Sequence, residues 1–375
     1  MSLIERIIRP EVRALSAYAV APAEGMIKLD AMENPFPLPE PLRAELGAVL
    51  AQASLNRYPP AGANELRATL CETMQVPAGF DVLLGNGSDE IIHLILQACA
   101  RPGATVLSPS PAFVMVQMSA LFDGVRYVDV PLLPDFNLDL PVMLAAIECD
   151  RPAVTFIAYP NNPTGNLFKD ADIEAIVKAA RRVDGLVVVD EAYQPFAPTT
   201  WMGRLPEFDN LVVMRTLSKL GLAGIRLGYL AGAPALLAEF DKVRPPYNIN
   251  VLTQAAALLV LRRKDVLDGQ AAVLREERAM LARELATLPG VRVYPSAANF
   301  ILVRFGGDAG ADLDAGAATM RANGVFAYLK GQRILVKNMS GGHSLLQGCL
   351  RLTVGSPEEN RALLAGLRGA CAALS

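Results

Sequence analysis

Hydrophobic positions in this chain gather into short β-branched runs separated by stretches of helical period. From Asp81 onward, Asp81–Leu84, Thr105–Leu107, Val125–Val130, Val154–Ala158, Leu186–Val189, Leu211–Met214 and Arg226–Leu230 read as strands. Several are apolar at every position, as in LVVV before Asp190, the pattern of strands covered on both faces. Between them lie helical segments such as DEIIHLILQACA, with Ser88 as its expected N-cap and Gly103 beyond its end. Alternating strands and helices predict an α/β fold built on a large, doubly wound, mostly parallel sheet.

The texture changes after Pro245-Pro246. Few breakers interrupt Val251 to Leu288, which reads as one long helical stretch. Strands follow at Val291–Tyr294 and Phe300–Phe305, then a helix around Ala311–Asn323 and strands near Ile334–Val336 and Leu350–Val354. At Ser356-Pro357-Glu358-Glu359 a last helix starts: Ser caps, Pro occupies the first turn and the acids suit the helix dipole. This half predicts a smaller α+β domain. The first 35 residues mix short apolar stretches with Pro10, Pro22 and Pro35 and read as an arm. The expected division is an arm over 1–35 lying against the body, a large domain over 36–248 and a small one over 249–375.

Composition narrows the function classes. A chain of 375 residues, 52% hydrophobic and 19% charged, has ample material for two buried cores. A net charge of −3 with scattered Lys and Arg argues against nucleic acid as a partner. No apolar run approaches the ~20 residues of a membrane-spanning helix, and MSLIERIIRP lacks the apolar core of a signal peptide. The five cysteines form no CxxC pair, which suits a reducing cytoplasm. Two histidines exclude a His-rich metal site and argue against a Ser/His/Asp triad.

Four clusters carry candidate chemistry, each just after a predicted strand. TLSKLGLAGIRLGY sets Lys219 among Thr216, Ser218 and Arg226. A lysine becomes an imine-forming nucleophile only when desolvated or held among positive charges, and two hydroxyls with an arginine suit a phosphate monoester. Alone, the cluster reads more readily as a surface lysine in a loop. VVVDEAYQPF puts Asp190 and Tyr193 at a strand's C-terminal end, where open α/β sheets bind ligands. A carboxylate there can keep a pyridine nitrogen protonated, or simply cap the next helix. AYPNNPTGN forms a tight turn that offers the Asn162 amide. LLGNGSDEI runs from strand through a glycine turn to a helix start at Ser88-Asp89, an anion cradle or an ordinary βα turn. GNGSDE lacks the third glycine of a dinucleotide-binding turn.

The order of these clusters resembles the fold-type I pyridoxal-5′-phosphate (PLP) enzymes, the family of aspartate aminotransferase, over essentially the whole chain. That resemblance implies that Lys219 carries PLP covalently and, once released, moves a proton between the substrate Cα and the cofactor C4′. It implies Asp190 at the ring nitrogen, Asn162 and Tyr193 at the ring oxygen, and Phe113 of SPSPAF stacked on the ring. Ser88, Asp89, Thr216, Ser218 and Arg226 would surround the phosphate, the first two partly through backbone amides. Two departures stand out: in many relatives the step from the lysine to the arginine is eight residues, whereas the step from 219 to 226 is seven, and Tyr or Trp commonly stands where Phe113 does.

KLDAMENPFPLP, LNRYPP, ILVKNMS and CLRLTVGSPEEN further resemble the histidinol-phosphate aminotransferases. That likeness implies a homodimer in which Tyr58 reaches the neighbour's PLP phosphate. Arg351 would bind the glutamate carboxylate or the histidinol phosphate, Tyr18 and Asn34 would line the substrate pocket, and Lys337 stands where relatives often carry arginine. The implied reaction converts L-histidinol phosphate and 2-oxoglutarate to imidazole acetol phosphate and glutamate. An aromatic amino acid aminotransferase and a threonine-phosphate decarboxylase are the alternatives. A PLP-sensing regulator would need a DNA-binding module, and the arm is too short and too weakly basic to be one.

Overall fold

The computed structural model describes residues 2–17, 21–306 and 314–374. Twelve strands occur among them: β1 (Ile27–Leu29), β2 (Asp81–Gly85), β3 (Thr105–Ser110), β4 (Arg126–Pro131), β5 (Val154–Ala158), β6 (Leu186–Asp190), β7 (Leu211–Thr216), β8 (Gly228–Gly232), β9 (Val291–Val293), β10 (Phe300–Phe305), β11 (Ile334–Asn338) and β12 (Cys349–Thr353). Strands β2 to β8 form one sheet in the order β2-β8-β7-β6-β5-β3-β4. Only β8 is reversed, running antiparallel to both β2 and β7. The α/β, mostly parallel architecture expected from the pattern is the one observed.

The unbroken apolar runs are explained by burial on both faces. Val187, Val189 and Val213 enter one core, while Val188, Val212 and Met214 enter the other. Successive residues of a strand point to opposite faces, so a strand covered twice admits few polar side chains, each of which needs a buried partner. Residues that follow the strand ends escape this constraint, and the polar clusters sit there.

A second sheet has the order β1-β11-β12-β10-β9, with β1 parallel to β11 and the other pairs antiparallel. Strand β1 belongs to the segment read as an arm. Three residues are too few to show a period, and they form a strand only by pairing Ile27 with Ile334. The helical stretch after Val251 is two helices, Val251–Leu261 and Lys264–Leu285, broken at Arg262-Arg263. The first packs on the helices Glu40–Ala51 and Asn64–Thr73, beside the large sheet. The second buries Ala271, Leu274, Leu281 and Leu285 in the core of the five-stranded sheet, so the break serves a change of partner. The helix read as ending near Asn323 runs from Ala315 to Gly331. Ser356 caps the last helix in a reciprocal box with Glu359, as the sequence indicates.

Two site residues sit differently from their expected elements. Ser88 is not an N-cap: the helix spans Gly87–Cys99, and Asn86 precedes it without a side-chain cap. Arg226 lies before β8, in a left-handed conformation at φ 52°.

Reversal of β8 places Gly228 against Gly87. A Cβ on Gly228 would lie 2.7 Å from the Gly87 carbonyl carbon and 2.8 Å from the Ser88 nitrogen, both backbone atoms that cannot swing away. Gly228→Ala should therefore cost about 1–3 kcal/mol, the range for overpacking a close contact. Gly47→Ala, in a helix with open space around it, should be neutral or stabilising by up to ~1 kcal/mol. Urea titrations of both variants check the contrast.

Candidate active site

Because β2, β5, β6 and β7 run in parallel, their C-terminal ends open on one edge of the sheet. The polar residues that follow them converge there on a cleft with about 580 Å³ of empty space. Ser88, Asp89, Phe113, Asn162, Asp190, Tyr193, Thr216, Ser218, Lys219 and Arg226 line it, together with Met32 and Gly87. A crevice outside the carboxyl ends of the strands is where such sheets bind ligands.

Lys219 follows β7 in a tight turn whose Gly221 has φ 135°, and its Nζ donates to the Ala31 carbonyl at 3.0 Å. Burial and the nearby Arg351, with a smaller effect from Arg226, push the amine down to about 8 against the pull of Glu33 and Asp89. A useful fraction is therefore neutral and nucleophilic near pH 7. Asp190 shows the converse. Burial pushes its carboxyl up to about 7, although the Ala192 N–H donates to it at 3.0 Å. A buried carboxylate with one donor is short of positive charge, and a protonated aromatic nitrogen facing it would supply that charge.

The third element is a cradle for an anion. Thr216 Oγ1 lies 3.0 Å from Ser218 Oγ, and Arg226 donates to Ser218 Oγ at 3.4 Å. Across β8, the first turn of the helix Gly87–Cys99 brings its free N–H groups to the same place. Gly87 takes φ 80°, a conformation that L side chains rarely adopt, and a Cβ there would also displace the Arg226 guanidinium, which it would meet at 2.8 Å. The Asp89 carboxylate is occupied with Arg226 at 3.6 Å, so its backbone amide is the part suited to an anion. The seven-residue step from Lys219 to Arg226 closes geometrically: Gly221 and Arg226 both take positive φ and turn the chain back over Ser218.

From the facing sheet, Arg351 on β12 reaches in. It donates to Asn162 Oδ1 at 2.6 Å and to the Asp30 carbonyl at 2.8 Å, while Asn162 Nδ2 donates to the Tyr193 hydroxyl at 3.2 Å. Tyr193 packs edge-on against Phe300 at 5.1 Å. Asn161 supports the turn by donating to the Pro111 carbonyl at 3.1 Å and to Thr164 Oγ1 at 2.7 Å. Lys337 is the direct partner of Arg351 in the β11–β12 ladder, so the two side chains share a face of the sheet.

Two of the candidate residues lie elsewhere, and a third is outside the described residues. Asn34 is not among the residues lining the cleft. Its amide donates to the Leu220 carbonyl at 3.1 Å and to Gln270 Oε1 at 2.9 Å, holding the turn after Lys219. Tyr58 is 80% exposed and stacks on Tyr247 with ring centres 4.6 Å apart. Tyr18 lies outside the described residues.

Several contributors carry no signal in the sequence. Ala31 acts through its backbone and Met32 through shape, so no residue-type argument could single them out. Glu191 and Arg215, a buried pair at 2.8 Å, were detectable as charges closing apolar runs. His93 stands between Asp123 at 3.4 Å and Ser119 at 3.3 Å, but Ser119 is wholly buried and open to no substrate. Among the described residues no cluster of His, Cys, Asp or Glu could hold a metal, and no helix is long and apolar enough to cross a membrane.

A family model described as aminotransferase class I and II matches residues 24–367, and the chain belongs to that family. Within it, the chain is similar to histidinol-phosphate aminotransferase 1 of Burkholderia lata, 58% identical over 368 residues that cover 98% of this chain and 99% of the relative. The enzyme of the same name from Ralstonia nicotianae is also 58% identical, covering 96% of this chain and 94% of its own. Among solved structures, the histidinol-phosphate aminotransferase of Sinorhizobium meliloti in complex with pyridoxal-5′-phosphate superposes with a TM-score of 0.84 at 24% identity, covering 98% of each chain. An aspartate aminotransferase variant from Thermus thermophilus gives 0.76, also at 24% identity, over 97% of this chain and 99% of its own. These two likenesses concern the fold.

The environment of Lys219 makes a measurable claim on the protein stripped of small molecules. The pH dependence of its reaction with an amine-directed acylating reagent, followed by peptide mass spectrometry, should have a midpoint near 8. The reactive form is the neutral amine, so the rate rises with pH and levels off above that value. An exposed lysine of the same protein should still be rising near pH 10, as its ordinary value of ~10.4 requires.

Proposed function

We propose that this chain is a PLP-dependent transaminase that passes the amino group of L-histidinol phosphate to 2-oxoglutarate, forming imidazole acetol phosphate and glutamate in histidine biosynthesis. The observation that carries the reading is the convergence of an amine, a buried carboxylate and a hydroxyl–guanidinium cradle on one cleft. Its substrate assignment draws on relatives of that name at 58% identity over nearly the full chain.

In this reading the Gly87–Asp89 amides, Thr216, Ser218 and Arg226 would hold the cofactor phosphate. Asp190 would face the pyridine nitrogen, Asn162 and Tyr193 the ring oxygen, and Phe113 the ring face, while Lys219 would hold the aldehyde carbon through Nζ. When bound, the cofactor supplies an electron sink for cleavage of a bond at the substrate Cα. Lys219, freed from the cofactor, would carry a proton between Cα and C4′, and its lowered basicity suits that exchange near neutral pH. Asp190 would keep the ring nitrogen protonated. Arg351 would present a planar fork to the carboxylate of glutamate or the phosphate of histidinol phosphate, which explains how one pocket serves two substrates in turn. Lys337, on the same face, would add a point charge for the phosphate.

The working assembly is a homodimer. It is supported by the exposure of Tyr58, Leu3, Ile4 and Ile7 in the single chain, which a partner subunit would cover. Tyr58 would then complete the neighbour's phosphate site. The working division keeps an arm over 1–35, a large domain over 36–248 and a small domain over 249–375. Strand β1 argues for counting Ile27–Leu29 with the small domain, and the packing of Val251–Leu261 for counting that helix with the large one. Cysteines spread along the chain without a CxxC pair, and Lys and Arg scattered rather than gathered in runs, favour a cytoplasmic enzyme acting on small molecules.

Purified protein loaded with PLP should absorb in the visible, and borohydride should fix the chromophore to Lys219. Lys219→Ala should still bind PLP noncovalently and lose nearly all turnover. A label mapped to another lysine refutes the assignment.

Substrate choice is tested by single-turnover absorbance of each half-reaction. Losing a charge-assisted contact typically costs ~1.5–3 kcal/mol, or roughly ten- to more than a hundredfold. Lys337→Ala should weaken histidinol phosphate by that amount and glutamate less, since the phosphate brings close to two charges and the distal carboxylate one. Arg351→Ala should impair both half-reactions. Equal losses for phenylalanine and histidinol phosphate in Lys337→Ala would put the aromatic aminotransferase reading ahead.

A further inference from the structure

Behind the cleft lies an ion pair that touches neither the cradle nor the space it encloses. Asp190 ends β6 and Thr216 ends β7, and both line the cleft. Strand alternation turns their chain neighbours, Glu191 and Arg215, to the rear. The parallel register Asp190↔Met214, extended by the Glu191 N–H donating to the Met214 carbonyl at 2.8 Å, brings those two neighbours together. Arg215 Nε donates to Glu191 Oε2 at 2.9 Å, and its NH2 lies 2.8 Å from the same oxygen. The Glu191 side chain is wholly buried and that of Arg215 is 8% exposed.

The pair is fully tied down. Glu191 also accepts from Thr200 Oγ1 at 2.8 Å and from the Trp201 N–H at 2.5 Å, and Arg215 donates to Thr200 Oγ1 at 2.7 Å. Its remaining nitrogen points to the Tyr229 hydroxyl at 3.4 Å and the Met74 carbonyl at 3.5 Å, which reaches β8. Three adjacent strands are thus pinned at the level where their front faces carry Asp190, Thr216 and Gly228. A buried ion pair is seldom retained for stability alone, since well-packed apolar residues serve as well or better. What it adds here is position, together with a net charge of zero directly behind a carboxylate that must carry charge.

We propose that Glu191 and Arg215 are positioning residues for the cofactor chemistry, holding the ends of β6 and β7 together and keeping the field behind Asp190 neutral. This rests on the PLP reading above. Of the pair, Glu191 is the member that bears on Asp190; the remaining charged groups around Asp190 are Asp89 from the helix Gly87–Cys99 and Lys219 from the turn after β7, and Glu33, Asp89, Arg226 and Arg351 bear on Lys219. None of these contacts the rear pair. An unpaired charge at the rear therefore adds to the cleft field with its own sign.

The test uses the PLP-loaded protein and reads, from visible absorbance, the pH midpoint at which the Lys219 nitrogen loses its proton. Glu191→Gln leaves the Arg215 cation uncompensated and should lower the midpoint. Arg215→Gln leaves the Glu191 anion and should raise it. Each shift should be roughly one pH unit, the effect of a unit charge on the order of 10 Å away in a protein interior. In the double variant, neutral again, the midpoint should return towards wild type. Shifts of the same sign, or no shift in folded variants, overturn the proposal. If one single variant does not fold, the other must still shift with its own sign and the double must return. If neither single folds while the double does with an unshifted midpoint, the pair is structural only and the proposal falls. Failure of the PLP reading would be seen separately, as a wild-type protein that forms no Lys219-linked chromophore.

Discussion

Where Gly228 passes Gly87, two backbones meet with no room for a side chain, and the geometry of the cleft hangs on that contact. Strands β2 and β7 are not neighbours in the sheet, since the reversed β8 separates them. Only because β8 enters at a glycine can the helix following β2 lie close to the turn following β7. The contact brings the N–H groups of one element and the hydroxyls of the other to face the same small volume. Arg226, in the step leading into β8, then closes that volume from the third side. The three pieces of the cradle come from distant parts of the sequence, and one close backbone approach gathers them.

Charge is distributed around the cleft with similar economy. The amine of Lys219 and the carboxyl of Asp190 are both moved towards neutrality by burial, from opposite directions. Neither has a strong ion-pair partner of its own among the described residues, and both are left responsive to whatever occupies the space between them. Arg351 is held at 2.6 Å by the Asn162 amide, which also meets the Tyr193 hydroxyl. Arg351, proposed to hold the substrate anion, is thereby joined through one amide to the phenol proposed to face the cofactor ring.

Much of this was legible in the sequence because fully buried strands leave little choice of residue. Polar side chains after LVVV or VTFIA stand out against runs that are almost wholly apolar, and the clusters at Asn162, Asp190 and Lys219 follow such runs closely. The less legible parts lack such a contrast. Strand β1 is too short to show a period and exists through its partner. The break at Arg262-Arg263 contains no proline or glycine, being set by which core each half meets. Asn34 had been placed in the pocket by likeness alone, and the structure shows its amide engaged by the Leu220 carbonyl and Gln270. Ala31 offers a carbonyl that any residue could have offered.

The pairing of β1 with β11 has a consequence for the order of events during synthesis. Ile27–Leu29 leave the ribosome early, yet the strand they align with is encoded across most of the chain's length. Until Ile334–Val336 emerge, this segment has no sheet to join. The Ala31 carbonyl that receives Lys219 Nζ lies two residues beyond β1 and has no fixed place before then. The large sheet can fold while the chain is still growing, since domains generally fold as units in order of emergence. The cleft, in contrast, is completed only after Ile334–Val336 have emerged and Ile27–Leu29 have paired with them. A nascent chain is thus kept from holding a finished active site before its second sheet is available.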